Sequence, residues 1–416
     1  MRKNYISKIL FIFMITISIS IKVFADDYIE DDFVSDNLED IEVSNTIESA
    51  PTINARHAVV YDRASGRLLY GKSENETCKM ASTTKIMTSI VVIEKVSNLK
   101  ETVTVSKKAA GTGGSRLGLS TNDEITVENL LYGLMMRSGN DAAVALAEYV
   151  GGSVEGFSTL MNEKASNLGL ESTHFVTPHG LDSDDHFTTA YELAKLTNYA
   201  LKNETFAKIV KTKTYTITIN NSAQTLSNTN ELLGNLEGIY GVKTGFTNGA
   251  NRCLVTACKR GKLDIICVVL GCDTKKDRTK DSTELINYIF NNYTIVNVED
   301  LILNDFNSWK KDHKNSFTIN KGTSSNVELN IDLSNISYSS MAINKNSVNN
   351  ISTSITFNSY FEAPLVENSN IGFITLKVDD MEYFSMNIFN DNEIRKRDFF
   401  DYWEYFLHNL GTDIKF

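Results

Sequence analysis

The chain has 416 residues, with 41 Lys and Arg against 52 Asp and Glu, a formal net charge of −11. Its 42% hydrophobic and 22% charged residues supply enough apolar mass for a sizeable core, and the length suggests two or three domains. The net acidity argues against nucleic acid as a partner, since phosphate contacts need clustered Lys and Arg, and six His with five scattered Cys offer neither C-x-x-C nor H-E-x-x-H, so no metal site is expected.

Residues 1–25 join a basic start (Arg2, Lys3, Lys8), a short apolar stretch and an A-x-A-like site at Val23-Phe24-Ala25. This is the pattern of a secretory signal peptide, with an uncleaved anchor as the alternative; no apolar run reaches the ~18 residues of a membrane span. An exported protein is expected. Residues 26–52 form an acidic linker: ten Asp and Glu and no basic residue fall in 26–50, a self-repelling block that reads as a solvated tether.

From His57 the pattern turns globular. Residues 57–63 and 68–72 flank Ala64-Ser65-Gly66 as a hairpin. Residues 82–96 read as a helix apolar on most sides (Ile86, Met87, Ile90, Val91, Ile93) and therefore buried. Two helices over 126–136 and 141–150 break at Ser138-Gly139-Asn140, and a third over 153–168 ends at Gly169. Thr189-x-x-Glu192 fits a capping box opening another helix. Strands follow at 214–219, 239–243, 252–259 and 263–271, then a helix over 281–293. That order predicts an α+β domain, an antiparallel sheet with a helical cluster packed on it, over residues 53–293. Residues 294–390 are rich in Asn, Ser, Ile and Val in short alternating runs, the texture of a small all-β domain. Residues 391–416 close the chain as an amphipathic helix, with Arg395-Lys396-Arg397 ahead of Phe399, Phe400, Trp403, Phe406, Leu407 and Leu410.

An exported hydrolase needs a nucleophile and a base. G-x-S-x-G is absent, which removes the usual α/β-hydrolase elbow. Ser-x-x-Lys occurs three times, at Ser82/Lys85, Ser97/Lys100 and Ser308/Lys311, and only the first lies on the buried helix. There Lys85 falls one turn from Ser82 on the same face. A charged Lys in so apolar a helix is costly, which favours a neutral amine able to take the Ser82 proton. Free N–H groups at the helix start can stabilise an oxyanion. The plain alternative is that Ser82 only caps the helix. Two further elements weigh against it: Ser138-Gly139-Asn140 in an interhelical break, and the only K-T-G of the chain, Lys243-Thr244-Gly245, at the end of a predicted strand. A cation and a hydroxyl there can hold a carboxylate, and Gly lets a substrate come close to the strand.

With these three elements in this order, the sequence resembles the penicillin-binding proteins and serine β-lactamases, and within them the low-molecular-mass D-alanyl-D-alanine carboxypeptidases of peptidase family S11. The resemblance is carried by Met80-Ala81-Ser82-Thr83-Thr84-Lys85-Ile86-Met87-Thr88, Gly113-Gly114-Ser115, Met136-Arg137-Ser138-Gly139-Asn140-Asp141, Thr177-Pro178-His179-Gly180-Leu181 and Gly241-Val242-Lys243-Thr244-Gly245-Phe246-Thr247, and it covers roughly residues 53–293. Glu362-Ala363-Pro364 and residues 372–378 echo the family's C-terminal module. What the resemblance implies is a serine carboxypeptidase that removes the terminal D-alanine from peptidoglycan stem pentapeptides through an acyl-enzyme, takes no cofactor and is acylated by β-lactams. Ser82 would be the nucleophile and Lys85 the general base, worth on the order of 10²–10⁴ in rate. Ser138 and Asn140 would relay protons and bind the peptide; Lys243, Thr244 and Gly245 would receive the substrate's C-terminus. The N–H groups of Ser82 and Phe246 would form the oxyanion hole. Arg278 matches a family arginine that helps bind the carboxylate, against the reading of a solvated loop arginine.

A β-lactamase is the nearest alternative, but no E-x-x-L-N setting lies between Asn140 and Lys243. A non-catalytic peptidoglycan-binding module on the same fold is the other. The six histidines read as structural or surface residues. The five cysteines read as free and mostly buried, although Cys258 and Cys267 face each other loosely across a hairpin. The C-terminal aromatic face fits either the β-rich domain or a membrane surface, and the resemblance favours the membrane, with action at the outer face of the cytoplasmic membrane or in the cell wall.

Overall fold

The computed structural model describes residues 49–333 and 339–412. The signal peptide expected over 1–25 lies outside the described residues, as does all but the last four residues of the acidic linker.

Strands β1 (His57–Asp62) and β2 (Leu68–Lys72) form the expected hairpin. A 3-10 turn (Ala81–Thr84) leads into α1 (Lys85–Lys95), followed by α2 (Val127–Met136), α3 (Asn140–Gly151), α4 (Val154–Asn167), α5 (Ala190–Ala200) and α6 (Glu204–Lys211). Strands β3 (Ile239–Thr247), β4 (Asn251–Arg260) and β5 (Leu263–Cys272) then complete an antiparallel sheet of order β2-β1-β5-β4-β3. Helix α7 (Lys275–Asn292) returns across it.

The sheet is apolar on both faces because both are covered. Alternation along each strand assigns the faces. Val59, Tyr61, Ile266, Val268 and Leu270 join the core shared with α1 to α6, while Ala58, Val60, Ile265, Cys267 and Val269 join a second core under α7 through Leu285, Ile286 and Ile289. Side-chain caps set several of the helix starts. Thr126 accepts from Asn129 N–H, Ser153 from Gly156 N–H, and Thr274 from Asp277 N–H. Only half of the expected capping box forms: Thr189 accepts from Glu192 N–H, but the Glu192 carboxylate turns to Ser172 N–H and the Thr173 hydroxyl.

Three boundaries differ from expectation in ways that matter for function. The α-helix begins at Lys85, so Ser82 stands in the 3-10 turn before it. Strand β3 runs through Lys243-Thr244-Gly245 to Thr247 instead of ending at Lys243, since pairing of Thr244 with Leu254 and Gly245 with Cys253 continues the ladder. Helix α7 starts at Lys275, placing Arg278 in its first turn and not in a loop.

The C-terminal part is β-rich as expected, around a four-stranded antiparallel sheet built from Leu329–Ile331, Met381–Asn390, Asn370–Val378 and Ile351–Phe357. It also carries a helix that strand-like texture did not foretell, α8 (Val298–Asp312), whose Val298, Ile302 and Phe306 enter the core of that domain. The last helix, α9 (Phe399–Thr412), leaves Phe399 72% and Phe400 75% exposed, with Trp403, Phe406 and Leu407 also exposed, so this face does not pack on the β-rich domain. All five cysteines are free. Cys258 pairs with Ile265 and Cys267 with Thr256, two positions out of step.

Candidate active site

The turn that carries Ser82 is held from several sides. Ala81 has φ 48°, in the left-handed region that a residue with a Cβ seldom adopts, and such strain persists only where the surroundings over-determine it. Thr84 Oγ1 donates to the Ala81 carbonyl at 2.8 Å, and His186 Nε2 lies 2.8 Å from the same hydroxyl. Val176 N–H donates to His186 Nδ1, which leaves the ring proton on Nε2 to point at Thr84. Burial, with a smaller contribution from His174, pushes His186 down to about 4, so the ring stays neutral in this role. Gly180, at φ 84°, lets the 177–181 segment lie on the turn: a Cβ there would stand 2.0 Å from the Ala81 oxygen.

Lys85 is fully buried, and its Nζ gathers the first two sequence elements. It lies 2.8 Å from Ser82 Oγ, 2.7 Å from Asn140 Oδ1, 3.0 Å from the His179 carbonyl and 3.4 Å from Ser138 Oγ. The N-cap positions fall on Met80 for the turn and on Thr84 for α1, so Ser82 caps neither. Ser138, at φ 58°, sits between α2 and α3 as expected of the break. Asn140 Nδ2 donates to the Gly113 carbonyl at 2.8 Å, tying in the Gly113-Gly114-Ser115 stretch.

The third element closes on the turn from the sheet. A Cβ at Gly245 would come within 3.1 Å of the Ser82 nitrogen and 3.2 Å of the Ala81 Cβ, so the absence of a side chain allows β3 to lie against the Ser82 turn. The Phe246 ring is capped by the Arg252 guanidinium, 3.7 Å from its centroid. Lys243 is 1% exposed and donates to the Thr244 carbonyl at 2.8 Å. Burial, then the neighbouring Arg278, push its amine down to about 7. Arg278 is 4% exposed and ion-paired with Glu231 at 2.9 Å, so it is not a solvated arginine.

A profile of the D-alanyl-D-alanine carboxypeptidase family matches residues 44–274, more than half of the chain. The chain belongs to this family. The D-alanyl-D-alanine carboxypeptidase DacF of Bacillus subtilis is 38% identical over 244 residues, a stretch that is 58% of this chain and 63% of that protein. The match therefore spans less than two thirds of that relative. Among solved structures, the DD-transpeptidase of Streptomyces K15 superposes with a TM-score of 0.56 at 38% identity, covering 58% of this chain and 98% of the other. Penicillin binding protein 5 of Haemophilus influenzae superposes with a TM-score of 0.67 at 26% identity over 84% of this chain and 100% of the other, so that likeness includes the C-terminal β-rich part.

The structure gives three further residues beside this site a part that the motifs alone did not specify. Asp141 is fully buried and accepts from the N–H groups of Leu117, Gly118 and Leu119, which fixes the loop over the Ser138-Gly139-Asn140 break. In the sequence it closes the Met136–Asp141 stretch as an acid in the first turn of a helix, which by itself reads as a dipole partner. His179 is 9% exposed and pushed down to about 3, by burial and then by Lys85; its carbonyl, not its ring, meets the Lys85 amine. Thr229 Oγ1 lies 2.8 Å from Thr244 Oγ1, from a segment with no motif at all.

Proposed function

We propose that the protein is a serine-type D-Ala-D-Ala carboxypeptidase that removes the terminal D-alanine from peptidoglycan stem pentapeptides. The observation that carries this reading is the buried Lys85 amine, within 2.8 Å of Ser82 Oγ and 2.7 Å of Asn140 Oδ1, at a turn faced by Gly245. Ser82 Oγ gives its proton to Lys85 and attacks the carbonyl between the two D-alanines. The N–H groups of Ser82 and Phe246 receive the oxyanion. The C–N bond breaks as the leaving amine takes a proton through Ser138, and D-alanine departs. Water then attacks the ester on Ser82 and restores the hydroxyl. Lys243, Thr244 and Arg278 hold the substrate carboxylate, and Asn140 orients the peptide.

The same acylation step accepts a β-lactam. Rapid turnover of a penicillin needs a carboxylate that activates the deacylating water; in the 177–181 segment it is the His179 backbone carbonyl that approaches Lys85. Penicillins therefore act as long-lived inhibitors. The activity belongs outside the cytoplasm, where the substrate lies. Helix α9, too short to cross a bilayer, rests its exposed aromatic face in the membrane interface. Part of the basic triplet serves the helix itself, since Arg395 pairs with Asp401. Deleting residues 398–416 is expected to move activity from the membrane to the soluble fraction.

The deciding experiment is D-alanine release from a pentapeptide ending in D-Ala-D-Ala. Wild-type protein releases it and Ser82→Ala does not; equal rates would overturn the reading. Covalent labelling of the wild type by a fluorescent penicillin separates an enzyme from a non-catalytic wall-binding module.

A further inference from the structure

We propose that Glu231 is a positioning residue of the carboxylate pocket, holding the Arg278 guanidinium beside Lys243 so that the substrate's C-terminus meets a fixed donor. The inference rests on the carboxypeptidase reading above and names a specificity determinant of the same site.

Three consecutive residues reach the strand and the helix that carry these cations. Thr229 reaches the Thr244 hydroxyl, Asn230 Nδ2 donates to the Gly241 carbonyl at 2.9 Å, and Glu231 turns the other way to α7. There Glu231 Oε1 accepts from Arg278 Nη2 at 2.9 Å and from the Thr279 hydroxyl, while Oε2 pairs with Lys275 at 3.2 Å. One short segment thus ties the Lys243-Thr244-Gly245 strand to the helix that carries Arg278.

A guanidinium presents five N–H groups in a rigid plane, so engaging one nitrogen orients the rest. Arg278 Nε is buried and has no hydrogen-bond partner among the described residues. A buried donor left unpaired is expensive, and most such groups find an acceptor. A carboxylate oxygen arriving beside Lys243 satisfies it, which is the chemistry this site requires of its substrate. Charge supports the same arrangement. Two buried cations repel each other, and a nearby anion makes their coexistence cheaper. Burial works against a charged Glu231, yet Arg278, Thr279 and Lys275 hold its carboxyl below the usual range.

A purely structural role would staple the first turn of α7 and affect all substrates alike. The test therefore compares acylation of the full chain by benzylpenicillin, which carries a free carboxylate, and by its methyl ester, which does not. Glu231→Gln is expected to lower the acylation rate constant for the acid about tenfold and that for the ester less than twofold. In an Arg278→Leu background the same change is expected to add no further loss for the acid. An equal fall for acid and ester, no fall, or a further loss in the Arg278→Leu background would each overturn the proposal. Glu231→Asp, which keeps the charge but withdraws it by one methylene, is read by the same ratio if the Gln variant does not fold. Wild-type protein that prefers the acid but releases no D-alanine would overturn the carboxypeptidase reading and leave this one standing.

Discussion

Replacing Lys243 by Met removes a buried cation while keeping the length of the side chain, and the consequences for stability and for catalysis have opposite sign. In the folded protein burial, aided by Arg278, lowers the amine from 10.5 to about 7. At 1.36 kcal/mol per pH unit, holding the protonated amine costs the folded state on the order of 5 kcal/mol relative to the unfolded chain. This cost is present in full below about pH 7, where both states bind the proton. It is relieved as pH rises towards 10.5, because across that window only the unfolded chain still binds the proton, so wild-type stability climbs. The Met variant loses the bond to the Thr244 carbonyl, worth about 1–3 kcal/mol. The net expectation is a gain of about 2–4 kcal/mol at pH 6 that shrinks towards zero or below near pH 10. Urea unfolding at both pH values measures it. D-alanine release falls in the same variant by about 10–10²-fold, since the carboxylate loses a charged donor. A Met variant no more stable than wild type at pH 6, or a gain that persists undiminished at pH 10, would refute the account of Lys243 as a strained, function-bearing cation.

Gly245→Ala places a Cβ 3.1 Å from the Ser82 nitrogen, so strand or turn must yield by a few tenths of an ångström. Acylation by a fluorescent penicillin is expected to slow about tenfold or more, and an unchanged rate would remove the close-approach role of this glycine. Asp141→Ala strands the N–H groups of Leu117, Gly118 and Leu119, with an expected loss of about 3–5 kcal/mol in urea unfolding; a loss within ~0.5 kcal/mol would show that water replaces the carboxylate. His179 and His186, pushed down to about 3 and about 4, are expected to show constant imidazole proton shifts between pH 5 and 8 by NMR. A titration of either in that range would contradict their buried neutral state.

Proximity was legible where chemistry and local geometry coincide. Ser82 and Lys85 are three residues apart on one short stretch, so helical spacing alone brings the amine to the hydroxyl. Ser138-Gly139-Asn140 was legible as a break because Gly interrupts two apolar-periodic runs. Boundaries were less legible. A 3-10 turn and the first turn of a helix leave the same pattern at Ser82, and polar residues 275–280 hid the start of α7 because that turn is capped by Thr274 and paired with Glu231 instead of being buried by apolar contacts. Helix α8 was hidden in the Asn-rich texture around it, because Asn and Asp predominate among its exposed residues, although Val298, Ile302 and Phe306 are buried and Leu301, Leu303 and Trp309 pack beside them.

By itself the sequence determined the spacing within each motif, above all the single turn between Ser82 and Lys85, and the apolar periodicity that buries the helix after it. Those properties depend on residues a few positions apart, where backbone geometry leaves few choices. Only the tertiary structure decided which distant groups share a space. Lys85 meets Asn140 and the His179 carbonyl, Thr229 meets Thr244, and Glu231 meets Arg278 across 47 positions of chain. The pairing of Glu231 with Arg278 depends on how α7 is laid across the sheet, a choice made by the packing of Leu285, Ile286 and Ile289 in the core beneath it. Local periodicity carries no record of that choice, because the energy that makes it is spread over contacts between segments far apart in the chain.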